Sequence, residues 1–221
     1  MLFGRACQSE TTWLHLQKKS LVAQERDPAI RDAPARRKRA AFRETVAHIA
    51  PERLKFLDEA GSHLALTRLY GWAKREARCV YAAPFNRGKN ETLLGLFSVS
   101  GMEALQTHTG SVKAERVVQF VQEAVVPCLK PGDTLVLDNA RIHKAALLRP
   151  ILEGLGCDLL FLPPYSPDFS PIEPAWGKLK SALRGQEPRD REALRAGVAQ
   201  AAATVTPADA GQFYRHCGYK V

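Results

Sequence analysis

Residues 161–180 read FLPPYSPDFSPIEPAWGKLK. Five prolines, Pro163, Pro164, Pro167, Pro171 and Pro174, restrict the backbone around two acids, Asp168 and Glu173. Upstream, CDLLFLPP (157–164) is a short apolar run of the kind that forms a buried strand, and its prolines stop it. Downstream, Ile172, Trp176, Leu179 and Leu183 recur at helical spacing and predict a helix with one apolar face. Ser170 reads as the N-cap of that helix, with Pro171 at the first helical position. Glu173 then stands three residues past the cap. Two readings are open for it: a Ser-x-x-Glu capping box, or an acid presented to a site. Asp168 falls in the loop before the helix and reads as an exposed residue or a turn residue. The stretch is therefore strand, rigid turn, helix.

Working outward, the same alternation continues. RLKFLDEAG (53–61), ETLLGLFSVSG (91–101) and MEALQTHTG (102–110) predict strands, the last two joined by a Ser-Gly turn. SVKAERVVQFVQEAVVPCL (111–129) predicts a helix with Val117, Val121, Ala124 and Val125 on one side. DTLVLDNA (133–140) is a buried-type strand ending in an acid. KAALLRPILEGLG (144–156) is a helix kinked at Pro150 and ended by Gly154 or Gly156. DREALRAGVAQAAATV (190–205) predicts a closing helix. The order β, β, β, α, β, α, β, α fits a mixed sheet flanked by helices. At the other end, ARRKRAAFRETVAHIA (35–50) is helical, with Phe42, Val46 and Ile49 on one face. Arg36, Arg37, Lys38 and Arg39 head it, as a solvated face or as an arm for phosphates.

Composition limits the possible functions. A chain of 221 residues holds one large core, or one domain with an appendage. No apolar run is long enough to span a membrane, and no signal-peptide core follows the first residues, so the protein is expected inside the cell. Cys7, Cys79, Cys128, Cys157 and Cys217 are scattered and odd in number, which argues against a disulfide framework and a structural zinc site. A net charge of +9 points to a polyanionic partner, of which nucleic acid is the commonest.

Two predicted strands carry an acid at the same place: KFLD ends in Asp58 and LVLD ends in Asp138. In α/β sheets, ligands bind outside the carboxyl ends of strands. Each aspartate alone also reads as a turn or cap residue. If Asp58, Asp138 and Glu173 converge, they need a cation. Two such charges about 4 Å apart repel by roughly 4 kcal/mol at an effective dielectric near 20. Carboxylate oxygens select hard ions, Mg²⁺ or Mn²⁺. A pair of these ions supports attack on a phosphodiester. A glycosidase built on two carboxylates is disfavoured, because no feature suggests sugar binding.

FLDEAG, LVLDNARIHKA and FLPPYSPDFSPIEPAWGKLK together resemble the three catalytic blocks of DDE transposases, in the bacterial insertion-sequence branch of the mariner-like superfamily. Thirty-four residues separate Asp138 from Glu173, the spacing that superfamily prefers. The resemblance covers about residues 12–185 and implies an α/β, ribonuclease-H-like fold: a mixed sheet flanked by helices, with a short helical N-terminal extension. It implies Asp58, Asp138 and Glu173 as the catalytic and metal-binding triad, with two Mg²⁺ ions for which Mn²⁺ can substitute. Asp168 lies outside that triad. Asn139 and His143 match the second block as supporting site residues. Where the family usually has Asn-Pro-Ile-Glu, this chain has Ser170-Pro171-Ile172-Glu173, which keeps the acid. RLYGWAKRE, with Arg68, Gly71 and Trp72, resembles the segment after the first acid.

The resemblance further implies DNA cleavage and strand transfer on double-stranded DNA, both transposon ends and target, by a homo-oligomer. The expected location is the cytoplasm, on the nucleoid. Arg36, Arg37, Lys38, Arg39, Lys178, Lys180 and Arg184 are the candidate phosphate contacts. Family members begin with a helix-turn-helix region, of which only the tail, TTWLHLQKKSLVAQERD (11–27), is similar here. The expected layout is that tail and a basic linker helix over 1–50, the catalytic domain over 51–189, and a C-terminal helix and tail over 190–221. The missing part would be a separate or frameshift-fused helix-turn-helix polypeptide. Two other readings remain: a truncated, inactive remnant that binds DNA or dimerises, and a metal nuclease without transposition.

Overall fold

Strand β1 (Leu54–Ser62) is the central strand of the sheet in a computed structural model that describes residues 33–74, 78–138 and 142–221. It pairs antiparallel with β2 (Glu91–Ser98) and parallel with β4 (Thr134–Leu137). With β3 (Gly101–Thr109) and β5 (Asp158–Phe161) it forms a five-stranded mixed sheet in the order β3-β2-β1-β4-β5. The two-residue period of a strand divides one apolar run between two cores. Phe56, Ala60, Leu93, Phe97 and Val136 face one side. Leu57, Leu94, Leu96, Leu135 and Leu137 face the other. Full burial of each valine, leucine or phenylalanine side chain contributes about 1.5–3 kcal/mol.

Helices close both faces. The first core is covered by α1 (Ala33–Ala47), α4 (Ile172–Gln186), α5 (Arg191–Ala203) and α6 (Pro207–His216), through Phe42, Trp176, Leu179, Leu183, Val198 and Tyr214. The second is covered by α2 (Ala114–Phe120) and α3 (Ile142–Glu153), through Val117, Phe120, Leu148 and Leu152. Helix α2 continues into a π turn at Val121–Val125 and a 3₁₀ turn at Val126–Cys128. Pro150 lies inside α3, and that helix ends ahead of Gly154. This is the ribonuclease-H-like order of elements expected from the sequence.

Two expectations are corrected. The C-terminal segment is two helices, not a helix and a tail. Thr206-Pro207-Ala208-Asp209 starts α6 with a reciprocal capping box between Thr206 and Asp209. Asp58 is not at a strand end either. Strand β4 stops at Leu137, but β2 goes on pairing with β1 as far as Ser62, so Asp58 is mid-strand. The expected helix-turn-helix tail at residues 11–27 lies outside the described residues.

The α6 cap has a pH consequence. The Lys178 ammonium, 2.6 Å away, and then Thr206 hold the Asp209 carboxyl down at about 2. A depressed carboxyl contributes stability above its unfolded value, near 3.8, and loses it as pH falls towards 2. Asp209→Asn should therefore lower the unfolding midpoint at pH 6 and converge on the parent near pH 2. Parallel melting curves across that range would refute the assignment.

Candidate active site

The register of the central strands places the first two acids. Leu57 of β1 pairs with Leu137 of β4, and the next residue on each strand is an aspartate. Parallel strands lie about 4.8 Å apart, so Asp58 and Asp138 are neighbours on the α4 side of the sheet. Trp176 of α4 donates its Nε1–H to Asp58 Oδ2 at 3.1 Å.

The third acid arrives through the proline segment. Leu162 extends the β4–β5 pairing by one bond, N–H to the Leu137 carbonyl at 2.8 Å, and Pro163 and Pro164 end it. Tyr165 then takes a left-handed backbone, φ 54°, a costly conformation for a bulky side chain. A 3₁₀ turn at Pro167–Phe169 leads to α4, whose first turn carries Glu173. Pro171, not Ser170, caps α4, and no side chain caps it. The Ser170 amide donates instead to the Pro167 carbonyl at 3.0 Å. The capping-box reading of Glu173 therefore does not hold.

Asp58, Asp138 and Glu173 line one cleft of about 490 Å³, with Leu57, Val136, Ser170 and the turn from Leu162 to Pro167 as its walls. Glu173 is exposed there, and both aspartates are half-buried. Their oxygen donors suit a hard divalent cation. As placed, they surround the cleft without forming a cage: among the described residues, no three His, Cys, Asp or Glu side chains are gathered to hold an ion.

Asp168 has a different task. Arg39 of α1 forms a two-pronged ion pair with its carboxylate and also donates to Ser166 Oγ. The Arg39 guanidinium lies 4.0 Å over the Phe169 ring, which stacks on Phe42. The Tyr219 hydroxyl donates to the Phe169 carbonyl at 2.7 Å. The turn that presents Glu173 is thus braced by the first helix and the C-terminal end.

The basic candidates divide. Arg36, Arg37 and Lys38 are exposed on α1, whereas Arg39 turns inward to that brace. Lys178 pairs with Asp209, and Lys180 and Arg184 are half-buried on α4. Asn139 lies outside the described residues, as does the side chain of His143. Sequence reading missed the Trp176–Asp58 bond, the Arg39 brace and Tyr219. One signal was present for the first: Gly95 interrupts the apolar run of β2, which marks close approach by another group.

Residues 53–195 match the model of a family described as DDE superfamily endonuclease. Among solved structures, the chain resembles a Mos1 transposase paired-end complex with the left transposon end, at TM-score 0.69 and 19% identity over 93% of this chain and 63% of that one. A Mos1 strand transfer complex gives 0.67 and 18%, over 93% and 62%. The catalytic domain of Mos1 mariner transposase gives 0.55 and 16%, over 83% and 85%. These likenesses show the fold, and the chain spans under two thirds of the proteins in the two complexes. No curated protein matches it significantly. The family match, which takes in all three acids, makes this chain a member of the DDE superfamily of endonucleases.

Proposed function

We propose that the chain is the catalytic part of a bacterial insertion-sequence transposase, which cuts DNA at the element's ends and transfers the freed strand. The carrying observation is the single cleft lined by Asp58, Asp138 and Glu173. In this reading Asp58, Asp138 and Glu173 would together hold the divalent ions, two in number. Bound ions would supply an activated attacking oxygen and charge neutralisation at the leaving oxygen. The rigid turn holds Glu173 opposite the strand pair, and Leu57, Val136 and Leu162 keep bulk water from the cleft floor. Water cleaves the phosphodiester and frees a 3′-hydroxyl; that hydroxyl then attacks target DNA and displaces its 3′-oxygen.

The spacing from Asp138 to Glu173 and the Ser170–Glu173 block support the insertion-sequence branch. The net charge of +9 and the exposed Arg36, Arg37 and Lys38 support a DNA partner, with the half-buried Lys180 and Arg184 further along α4. In the segment between β1 and β2, Tyr70, Trp72 and Phe85 are almost wholly exposed, which supports a homo-oligomer. Residues 1–50 are read as the tail of a helix-turn-helix region with its linker, 51–189 as the catalytic domain, and 190–221 as its C-terminal extension. No described helix is long and apolar enough to cross a membrane, and work on the nucleoid fits this reading.

Supercoiled plasmid carrying the element's ends is the test substrate. Nicking in Mg²⁺ or Mn²⁺, none in EDTA, and joined products with target DNA are expected. Nicking without joining would favour a plain nuclease. A parent chain that binds DNA but never cuts it would favour the inactive remnant.

A further inference from the structure

Trp176 is 2% exposed and belongs to the core under α4. A buried indole needs an acceptor for its N–H. Its acceptor here is a cleft carboxylate, Asp58 Oδ2, 118 residues away in sequence. We infer that Trp176 is a positioning residue: its N–H fixes the rotation of the Asp58 carboxylate towards the cleft, and Gly95 is the clearance that lets it do so. The inference rests on the metal-binding reading of the cleft.

The clearance is geometric. Gly95 is the residue directly opposite Asp58 on β2. A Cβ at Gly95 would stand 2.6 Å from Trp176 Cη2 and 2.9 Å from Cζ2. The same Cβ would stand 3.1 Å from Met102 Sδ. Any side chain at position 95 would push the indole off the strand and lengthen its bond to Asp58. The glycine weakens the strand locally, a cost that is offset only if the indole must lie there. One side chain therefore joins the two elements that carry Asp58 and Glu173. Trp176 follows Glu173 by three residues on α4, so its docking on β1 also fixes the rotation of the helix that presents Glu173.

A carboxylate has about four acceptor positions, so accepting one N–H leaves capacity for an ion. Groups that hold metal ligands in this way set ligand orientation, and their loss typically weakens binding about 10–100-fold. Asp58 without its indole bond still carries its charge but is held less firmly in the orientation that faces the cleft, so the effect falls on affinity.

Two readouts test this. In ¹⁵N–¹H spectra, the Trp176 indole resonance, assigned by its loss in Trp176→Phe, should shift strongly in Asp58→Asn. Mn²⁺ titration by calorimetry should show affinity reduced about tenfold or more in Trp176→Phe, with a similar loss in Gly95→Ala. If Trp176→Phe does not fold, 3-benzothienylalanine at position 176 keeps the ring shape and deletes only the N–H. It should bind Mn²⁺ about tenfold or more weakly than the parent. Variants that bind as tightly as a binding-competent parent would overturn the positioning role alone. A parent that binds no Mn²⁺ would overturn the metal reading of the cleft, and the role with it.

Discussion

Asp138→Asn is expected to leave the fold intact and to reduce metal-dependent nicking about 10³-fold or more. Asparagine matches aspartate in size, so the end of β4 and its pairing with β1 are preserved. What is lost is the negative charge beside Asp58 that, in the proposed function, attracts divalent ions to the cleft. Stabilisation of a phosphoryl transition state by a metal is worth several kcal/mol, and about 4 kcal/mol corresponds to a factor of about 10³. Asp58→Asn and Glu173→Gln should fall in the same range, and doubles should lose little more, because the three act as a unit. Asp168→Asn is the informative control. It breaks the Arg39 ion pair outside the cleft, so it should lower the melting temperature while nicking persists at low temperature. Nicking by Asp138→Asn at the parent's rate would remove the triad from the mechanism. Loss in Asp168→Asn equal to that in Glu173→Gln would move the third acid to position 168.

The parts of this site that could be read from sequence were those coded locally. Short apolar runs located β2 and β4, which are buried on both faces, and the apolar stretches LKFL and DLLF located β1 and β5. The half-buried, largely polar β3 was located by the Ser-Gly turn before it. The two aspartates stood out because each ends an apolar run, and Glu173 because it lies between Pro171 and Pro174 at a predicted helix start. Strand length did not follow from the same signal. β1 outruns β4 because an antiparallel partner on its other edge continues the ladder, and pairing partners are non-local. The Arg39–Asp168 brace spans 129 residues, and no local pattern distinguishes an arginine that folds inward from three neighbours that stay in solvent. Helix α6 differs, since its Thr-Pro-Ala-Asp start is a local capping signal that the weak apolar pattern after it obscured.

The same limit applies at Lys55, which reads as an ordinary polar position in RLKFLD and is one of the few buried charges of the fold. Its ammonium lies 2.5 Å from Glu103 Oε2 and 3.8 Å from Asp133 Oδ2, and it donates to the Cys128 carbonyl at 2.8 Å. The lysine and Asp133 side chains are 7% and 3% exposed. Ser98 donates to Glu103, and the Lys130 amide donates to Asp133, so the carboxylates are bonded but keep one central cation. Arg53 reaches Asp133 at 3.2 Å from a half-exposed position and compensates in part. Lys55→Met keeps the length and the apolar stem. It leaves two carboxylates in a site with little access to water. Breaking a buried pair by removing one partner costs about 3–5 kcal/mol. For a chain of this size, about 2–4 °C of melting temperature is lost per kcal/mol, so a fall of roughly 10 °C is expected. Adding Glu103→Gln to Lys55→Met should recover part of the loss, because it removes one of the stranded charges. Recovery in the double variant, read by urea unfolding as a coupling between the two sites, separates a charge effect from simple loss of packing. A single variant within about 1 kcal/mol of the parent would mean that Arg53 and the local hydrogen bonds satisfy both acids without Lys55.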